Sequence, residues 1–352
     1  MRSIRTGRWR SRYLGILVLL AGINLSAGCA GAAPIASGDH PEVRLSAWTA
    51  YWDDQAGQQE YKQLHRKLAS VSCFAASYDS NDQLVVPDET RQQVKLMSGK
   101  NKTYLTVVND SQDKKGRTVE KDKELLKRLL ADDDAMDHQV ESILAMAADL
   151  NCKGVELDYE AFWKDAKLRS SYLQFTYRLS LACEQAGVPL RIVLEPSAPM
   201  DAGFCKGPTY VVMLYNLYGK HSGPGPKADG SFIQKTIKKM EALPGDKAVA
   251  IATGGCLWED YGLLGLKSGR RQFLSQAEAV ALRKKHKAVE TRDPESADLH
   301  YSFDDNGKKT EVWYADAETL NAWITVAADA GVTDVSIWRL GGNEDIRDIR
   351  TH

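Results

Sequence analysis

Eight short runs of strand-forming residues, separated by longer stretches of helical periodicity, set the strongest limit on what this chain can fold into. The runs are Arg44–Ala50, Ser70–Ala76, Thr103–Asn109, Gly154–Glu160, Leu190–Leu194, Tyr210–Tyr215, Ala248–Thr253 and Asp334–Trp338. Between them lie Glu120–Leu130, His138–Leu150, Leu168–Ala186, Ser231–Ala242 and Ala317–Ala330. In these stretches apolar residues recur three and four apart: Ile233, Ile237 and Met240 share one face, as do Leu320, Trp323 and Ile324. Eight strands alternating with helices predict a (β/α)8 barrel. A doubly wound open sheet is the structural rival, but it would carry a glycine-rich phosphate turn after its first strand. Trp48–Asp54 (WTAYWDD) stands there instead. Residues 254–315 exceed one strand-to-helix connection and predict a small insertion that includes Glu311–Tyr314. The chain ends soon after the eighth run, which leaves the last barrel helix short or missing.

The N-terminus has a different character. Arg2, Arg5, Arg8, Arg10 and Arg12 precede an apolar run from Leu14 to Ile23, then Leu-Ser-Ala-Gly-Cys at 25–29. This is the layout of an export signal over residues 1–28, too short in its apolar part for a comfortable membrane span. Cys29 after Ser26-Ala27-Gly28 is similar to a bacterial lipoprotein processing site, where the cysteine is lipidated; an ordinary cleaved signal is the alternative. Residues 29–40 are small and polar and read as a tether. The expected location is therefore the cell envelope, as a membrane-anchored lipoprotein facing the periplasm or the cell surface. The expected domain is 41–352. Without the five arginines, 41 basic residues face 47 acidic ones. No basic excess is left to hold nucleic acid. Cys73, Cys152, Cys183, Cys205 and Cys256 show no C-x-x-C spacing, and the seven histidines are dispersed, so no metal site or other cofactor is indicated. Membrane contact is expected through the lipid anchor alone, and a monomer is the expected state.

The fourth run, GVELDYE at 154–160, alternates apolar with acidic at a period of two. Glu156, Asp158 and Glu160 then point one way, and Val155, Leu157 and Tyr159 the other. A strand of an all-parallel barrel has no solvated face, so the acidic side must converge on the barrel mouth. Like charges about 6–7 Å apart there repel by roughly 2–3 kcal/mol per pair at an effective dielectric near 20. Such repulsion keeps one carboxyl protonated near neutrality, as a general acid requires.

K-G-V-E-L-D-Y-E at 153–160 resembles the D-G-x-D-x-D-x-E signature of glycoside hydrolase family 18. Met213-Leu214-Tyr215-Asn216 is similar to that family's sixth-strand M-x-Y-D. Ser222-Gly223-Pro224-Gly225-Pro226, Val312-Trp313-Tyr314 and Trp338-Arg339-Leu340-Gly341 with Glu344-Asp345 resemble its bacterial cell-wall and spore-germination branch. The segments keep family order across about residues 41–345.

The resemblance implies retaining hydrolysis of β-linked N-acetylhexosamine polymers by substrate assistance, an exception to the two-carboxylate scheme. It implies Glu160 as acid/base and Asp158 as the group that orients the sugar acetamido. Tyr215 would hydrogen-bond that acetamido, Glu156 would bias the proton from beneath, and Trp338 would form the sugar's apolar floor. Three residues depart from the pattern: Lys153, for which a Lys–carboxylate pair could compensate, Glu156, and Asn216, which stands where the family has an aspartate that helps hold the N-acetyl group. Met213 belongs to the same set of expected substrate contacts. Trp48 and Trp258, near strand ends, are candidates for stacking on sugar, with core packing as the equal alternative. Glu195 and Asn109 end the fifth and third runs as candidate polar contacts, with loop capping as the alternative. The function expected is a glycosidase on peptidoglycan or a chitin-like glycan. The alternatives are a catalytically silent carbohydrate-binding envelope lipoprotein on the same barrel, or a scaffold with no sugar site.

Overall fold

The structure, a computed structural model, describes residues 41–259, 269–305 and 307–351. The expected export signal and tether, with Cys29, lie outside the described residues.

The barrel strands are β1 (Arg44–Ala50), β2 (Leu68–Tyr78), β3 (Lys102–Gln112), β4 (Gly154–Asp158), β5 (Leu190–Leu194), β6 (Thr209–Met213), β7 (Asp246–Ala252) and β8 (Asp334–Trp338). Each pairs in parallel with the next, and β8 pairs with β1 to close the ring. All eight expected runs become strands. β4 stops at Asp158, so Glu160 sits on the loop above the strand. β2 and β3 run longer than expected because each continues into a short antiparallel pairing, with Leu84–Val85 and Thr118–Val119 respectively.

The outer helices are α1 (Asp54–Leu64), α2 (Asp88–Met97), α3 (Lys123–Leu129), α4 (Asp133–Asp149), α5 (Ala166–Ala186), α6 (Gly230–Met240), α7 (Gln276–His286) and α8 (Ala317–Asp329). Their starts are written in the sequence. Asp122, Asp132, Asp165, Asp229 and Asp316 each accept from backbone N–H groups of the first turn, and Ser275 with Glu278 forms a capping box. α1, α2 and α7 are short and rich in polar residues, and they escaped the pattern reading. No helix joins β5 to β6, and after β8 there is only a short 3-10 turn, Ile346–Asp348.

Between β7 and β8 the chain builds a five-stranded antiparallel sheet: Gly254–Glu259, Arg271–Leu274, Thr291–Arg292, Leu299–Asp305 and Lys308–Ala315. α7 packs on it, with Leu257, Ala279, Val280, Tyr301, Val312 and Tyr314 as a core of its own. The insertion is thus a second small layer carried on the barrel.

Strand alternation divides the apolar residues into two cores. Leu45, Ala47, Val71, Cys73, Leu105, Val107, Val155, Leu157, Ile192, Val212, Val249, Val335 and Ile337 face the helices. Trp48, Val193, Val211, Met213, Ala248 and Ala250 fill the barrel, with Phe74, Tyr215 and Trp338 packed above them. Small alanines on β7 leave the space that the aromatic rings occupy. Gly154 shows the same economy at its end of β4: a Cβ there would stand 2.3 Å from the Tyr104 ring. The five cysteines at positions 73, 152, 183, 205 and 256 are unpaired, and four of them are buried.

Candidate active site

The register of β4 explains what its acidic face meets. Thr106 on β3 and Arg191 on β5 are the parallel partners of Glu156. Glu156 is wholly buried. It accepts hydrogen bonds from Thr106 Oγ1 at 2.8 Å and from the indole N–H of Trp48 across the barrel. Arg191 Nε lies 3.0 Å from Glu156 Oε2, off the N–H direction, so this contact is coulombic. Arg191 in turn donates to Ser336 Oγ at 2.6 Å and lies against the faces of Trp48 and Tyr104. The lowest carboxylate is therefore part of a barrel-spanning polar network.

One step up, Asp158 is half-buried, and its Oδ1, which is sealed from solvent, has no hydrogen-bond partner. Burial pushes its carboxyl well above the usual range, and the charges of Glu160 and Glu156 add to the push. Buried polar atoms are normally paired, so an orphaned oxygen in a cleft marks where a ligand's N–H would go.

Glu160 is set by backbone grips. Its N–H donates to Asn109 Oδ1 at 2.9 Å, and Asn109 Nδ2 donates back to its carbonyl at 3.2 Å. The next residue, Ala161, has φ +64°, a left-handed backbone uncommon for alanine, and its N–H is held by Glu195 Oε2 at 3.0 Å. Burial raises the Glu160 carboxyl; Lys121 pulls it back by charge and hydrogen bond, Glu195 and Asp110 push it up, and the outcome is upward. Lys121 Nζ lies 2.7 Å from Glu160 Oε2. Burial raises the Tyr215 hydroxyl, and the charges of Asp158, Glu160 and Glu156 add to the rise; its ring packs, like those of Phe74 and Trp338, on the residues that fill the barrel.

The aromatic floor is Trp338, with Phe74 at 4.8 Å and Trp48 at 5.9 Å between ring centroids, both edge-on. Trp52, half exposed, extends it against Phe74, and the Arg339 guanidinium lies over its ring. Arg339 also reaches Asp53 Oδ2 at 2.8 Å. Aromatic faces beside paired carboxyls suit a pyranose ring, which has one apolar face and polar edges.

The structure thus brings Glu160, Asp158, Tyr215 and Trp338 to one mouth, with Glu156 buried beneath them, and corrects several other expectations. Trp48 and Met213 are buried beneath the floor and support it from below. Trp258 lies in the insertion, 1% exposed, donating to the carbonyls of Gly219 and Ser222. It has no face left for a sugar. Asn109 and Glu195 hold the Glu160 loop by backbone contacts, the capping alternative. Asn216 is exposed with φ +73°, a turn position that asparagine tolerates. Lys153 donates to Asn151 Oδ1 at 2.7 Å, and among the described residues no carboxylate pairs with it. The sequence reading missed Phe74, Arg191 and Lys121. Register and loop geometry put them there, and neither leaves a motif. Among the described residues no cluster of His, Cys, Asp and Glu could hold a metal ion.

Solved structures with this architecture are numerous. The spore cortex-lytic enzyme SleL of Bacillus cereus superposes with a TM-score of 0.73 at 17% identity, over 87% of this chain and 72% of that one. A chitinase from Chromobacterium violaceum gives 0.71 at 17%, over 87% and 96%. A class V chitinase from Nicotiana tobaccum gives 0.65 at 13%, over 86% and 95%. The fold is that of the family 18 chitinase-like barrels. No family model and no curated protein sequence matches the chain. At such identities the chitinase-like likeness speaks for the fold, and the site must argue its own chemistry.

Proposed function

We propose that this chain is a glycoside hydrolase that cleaves a β-linked N-acetylglucosamine-containing glycan with retention, the sugar's own acetamido group serving as nucleophile. The observation that carries the reading is the buried, orphaned Oδ1 of Asp158, in a pocket shared with Glu160 and the floor residue Phe74. In this mechanism the Glu160 O–H gives its proton to the glycosidic oxygen as the C1–O bond breaks. The acetamido carbonyl oxygen bonds to C1, and the leaving sugar departs as an alcohol. Asp158 holds the acetamido N–H and balances the oxazolinium charge, and Tyr215 donates to the reacting acetamido. Water then attacks C1 and gives its proton to Glu160, restoring the acid, while the C1–O bond to the acetamido oxygen breaks and regenerates the acetamido group. The signal-like N-terminus supports action at the cell envelope, where peptidoglycan is the first substrate to try and chitin oligosaccharides the second.

Trp338→Ala is expected to weaken binding of N-acetylated oligosaccharides by about 1–3 kcal/mol, within the range of losing one buried aromatic contact. Calorimetry with chitotetraose and a peptidoglycan tetrasaccharide checks this, and unchanged affinity for both would remove Trp338 as the floor. Because Glu160 must carry a proton and its carboxyl is raised, kcat/KM is expected to hold above the ordinary glutamate pKa of about 4.3 and to fall on the alkaline side. A pH–rate profile whose alkaline limb lies at that ordinary value contradicts the assignment.

A silent binding protein on the same barrel is the second reading, favoured by the Lys121 ammonium that occupies Glu160. Product in a long incubation, seen by mass spectrometry, excludes it.

A further inference from the structure

We propose that Lys121 sets substrate choice: its ammonium recognises a carboxylate on the sugar beside the scissile bond, so the preferred glycan is anionic. The inference rests on the glycosidase reading above and names the substrate class within it.

Lys121 is placed by its surroundings. Its N–H donates to Asp110 Oδ1 at 2.8 Å, and its backbone takes φ +52°. The following Asp122 N–H donates to the Asn109 carbonyl at 2.8 Å, and Asp122 Oδ2 accepts from Ser111 Oγ at 2.8 Å. Asn109 is also the residue that grips Glu160, so the ammonium and the acid are tied to one point on β3.

The ammonium has donors to spare. It borders the pocket that Glu160, Asp158, Phe74 and Asp110 also line, and the Lys121 side chain is half exposed. Its contact with Glu160 uses one of three N–H donors and one carboxyl oxygen, so the other oxygen of Glu160 can still carry the acid proton. A neutral sugar offers the remaining donors only ordinary hydrogen bonds, whereas a substrate carboxylate offers a charged one. Asp110 and Glu120, which border the same pocket, are acidic. They repel a carboxylate elsewhere and so fix its position at Lys121. A β-linked N-acetylhexosamine polymer with a carboxylate-bearing ether, as in the lactyl sugars of peptidoglycan, meets this requirement. Chitin does not.

The test is calorimetric affinity and kcat/KM for chitotetraose and for a peptidoglycan tetrasaccharide of the same length, using the wild type, Lys121→Met and Lys121→Glu. The wild type is expected to favour the anionic glycan by about tenfold, the size of one partly exposed charged contact. Lys121→Met should bring the two glycans level, mainly by weakening the anionic one, and Lys121→Glu should reverse the order. Equal wild-type affinity for both glycans, or a preference that survives both substitutions, overturns the proposal and leaves the glycosidase reading standing. Absence of binding to either glycan overturns both.

Discussion

Glu160→Gln is expected to lower kcat on a cleavable N-acetylated glycan by at least about 10²–10⁴-fold, the usual contribution of a positioned general acid. The fold should be unaffected, because Glu160 is held by its backbone N–H and carbonyl on Asn109, which the amide leaves in place. The lost Lys121 ion pair is partly exposed, so its removal should change stability by no more than about 1 kcal/mol. Glycan affinity should persist, since the floor and Asp158 remain. Mass spectrometry of defined oligosaccharides incubated with wild type and variant, beside circular dichroism melts of both, reads all three quantities. Full turnover by the variant would sink the mechanism.

Arg191→Met should have the largest effect on stability, a loss of about 3–5 kcal/mol. The substitution leaves the Glu156 carboxylate inside the barrel with Trp48 and Thr106 as partners and no counter-charge. The double variant Glu156→Gln with Arg191→Met removes both charges, and most of the loss should return. Urea melts of the four proteins make a double-mutant cycle whose coupling term isolates the pair. A single variant as stable as wild type would show that the barrel-spanning network contributes little. The same cycle bears on chemistry. Removing the Glu156 charge takes away one of the influences that raise Asp158, so the protons of the Asp158–Glu160 pair should leave at lower pH in the double variant.

Much of the barrel was legible because its physics is local. Alternation at a period of two marked Gly154–Glu160, and alternate residues do fall into two cores, Val155 and Leu157 outward and Glu156 and Asp158 inward. Helix starts are as local: Asp132 caps α4 by accepting from the N–H of Ala135. The site was legible where a residue sits at a strand end and faces the axis, as with Asp158, Tyr215 and Trp338. It was illegible where several tryptophans at similar chain positions have different surroundings. Trp338 and Trp258 both follow apolar runs. One lines the mouth, and the other is sealed in the insertion by the carbonyls of Gly219 and Ser222.

Composition and periodicity alone determined the number of barrel strands, their parallel order, the presence of an insertion and the acidic face of the fourth strand. These follow from side-chain alternation and helix capping, which act over a few residues. Only the tertiary structure decided which charges meet. Glu156 faces Arg191 because strand register sets them side by side, although 35 positions separate them in the chain. Lys121 reaches Glu160 because a short hairpin extends β3 and turns back over the mouth. Electrostatic partners are chosen by distance in space, and a sequence records that distance only through the fold.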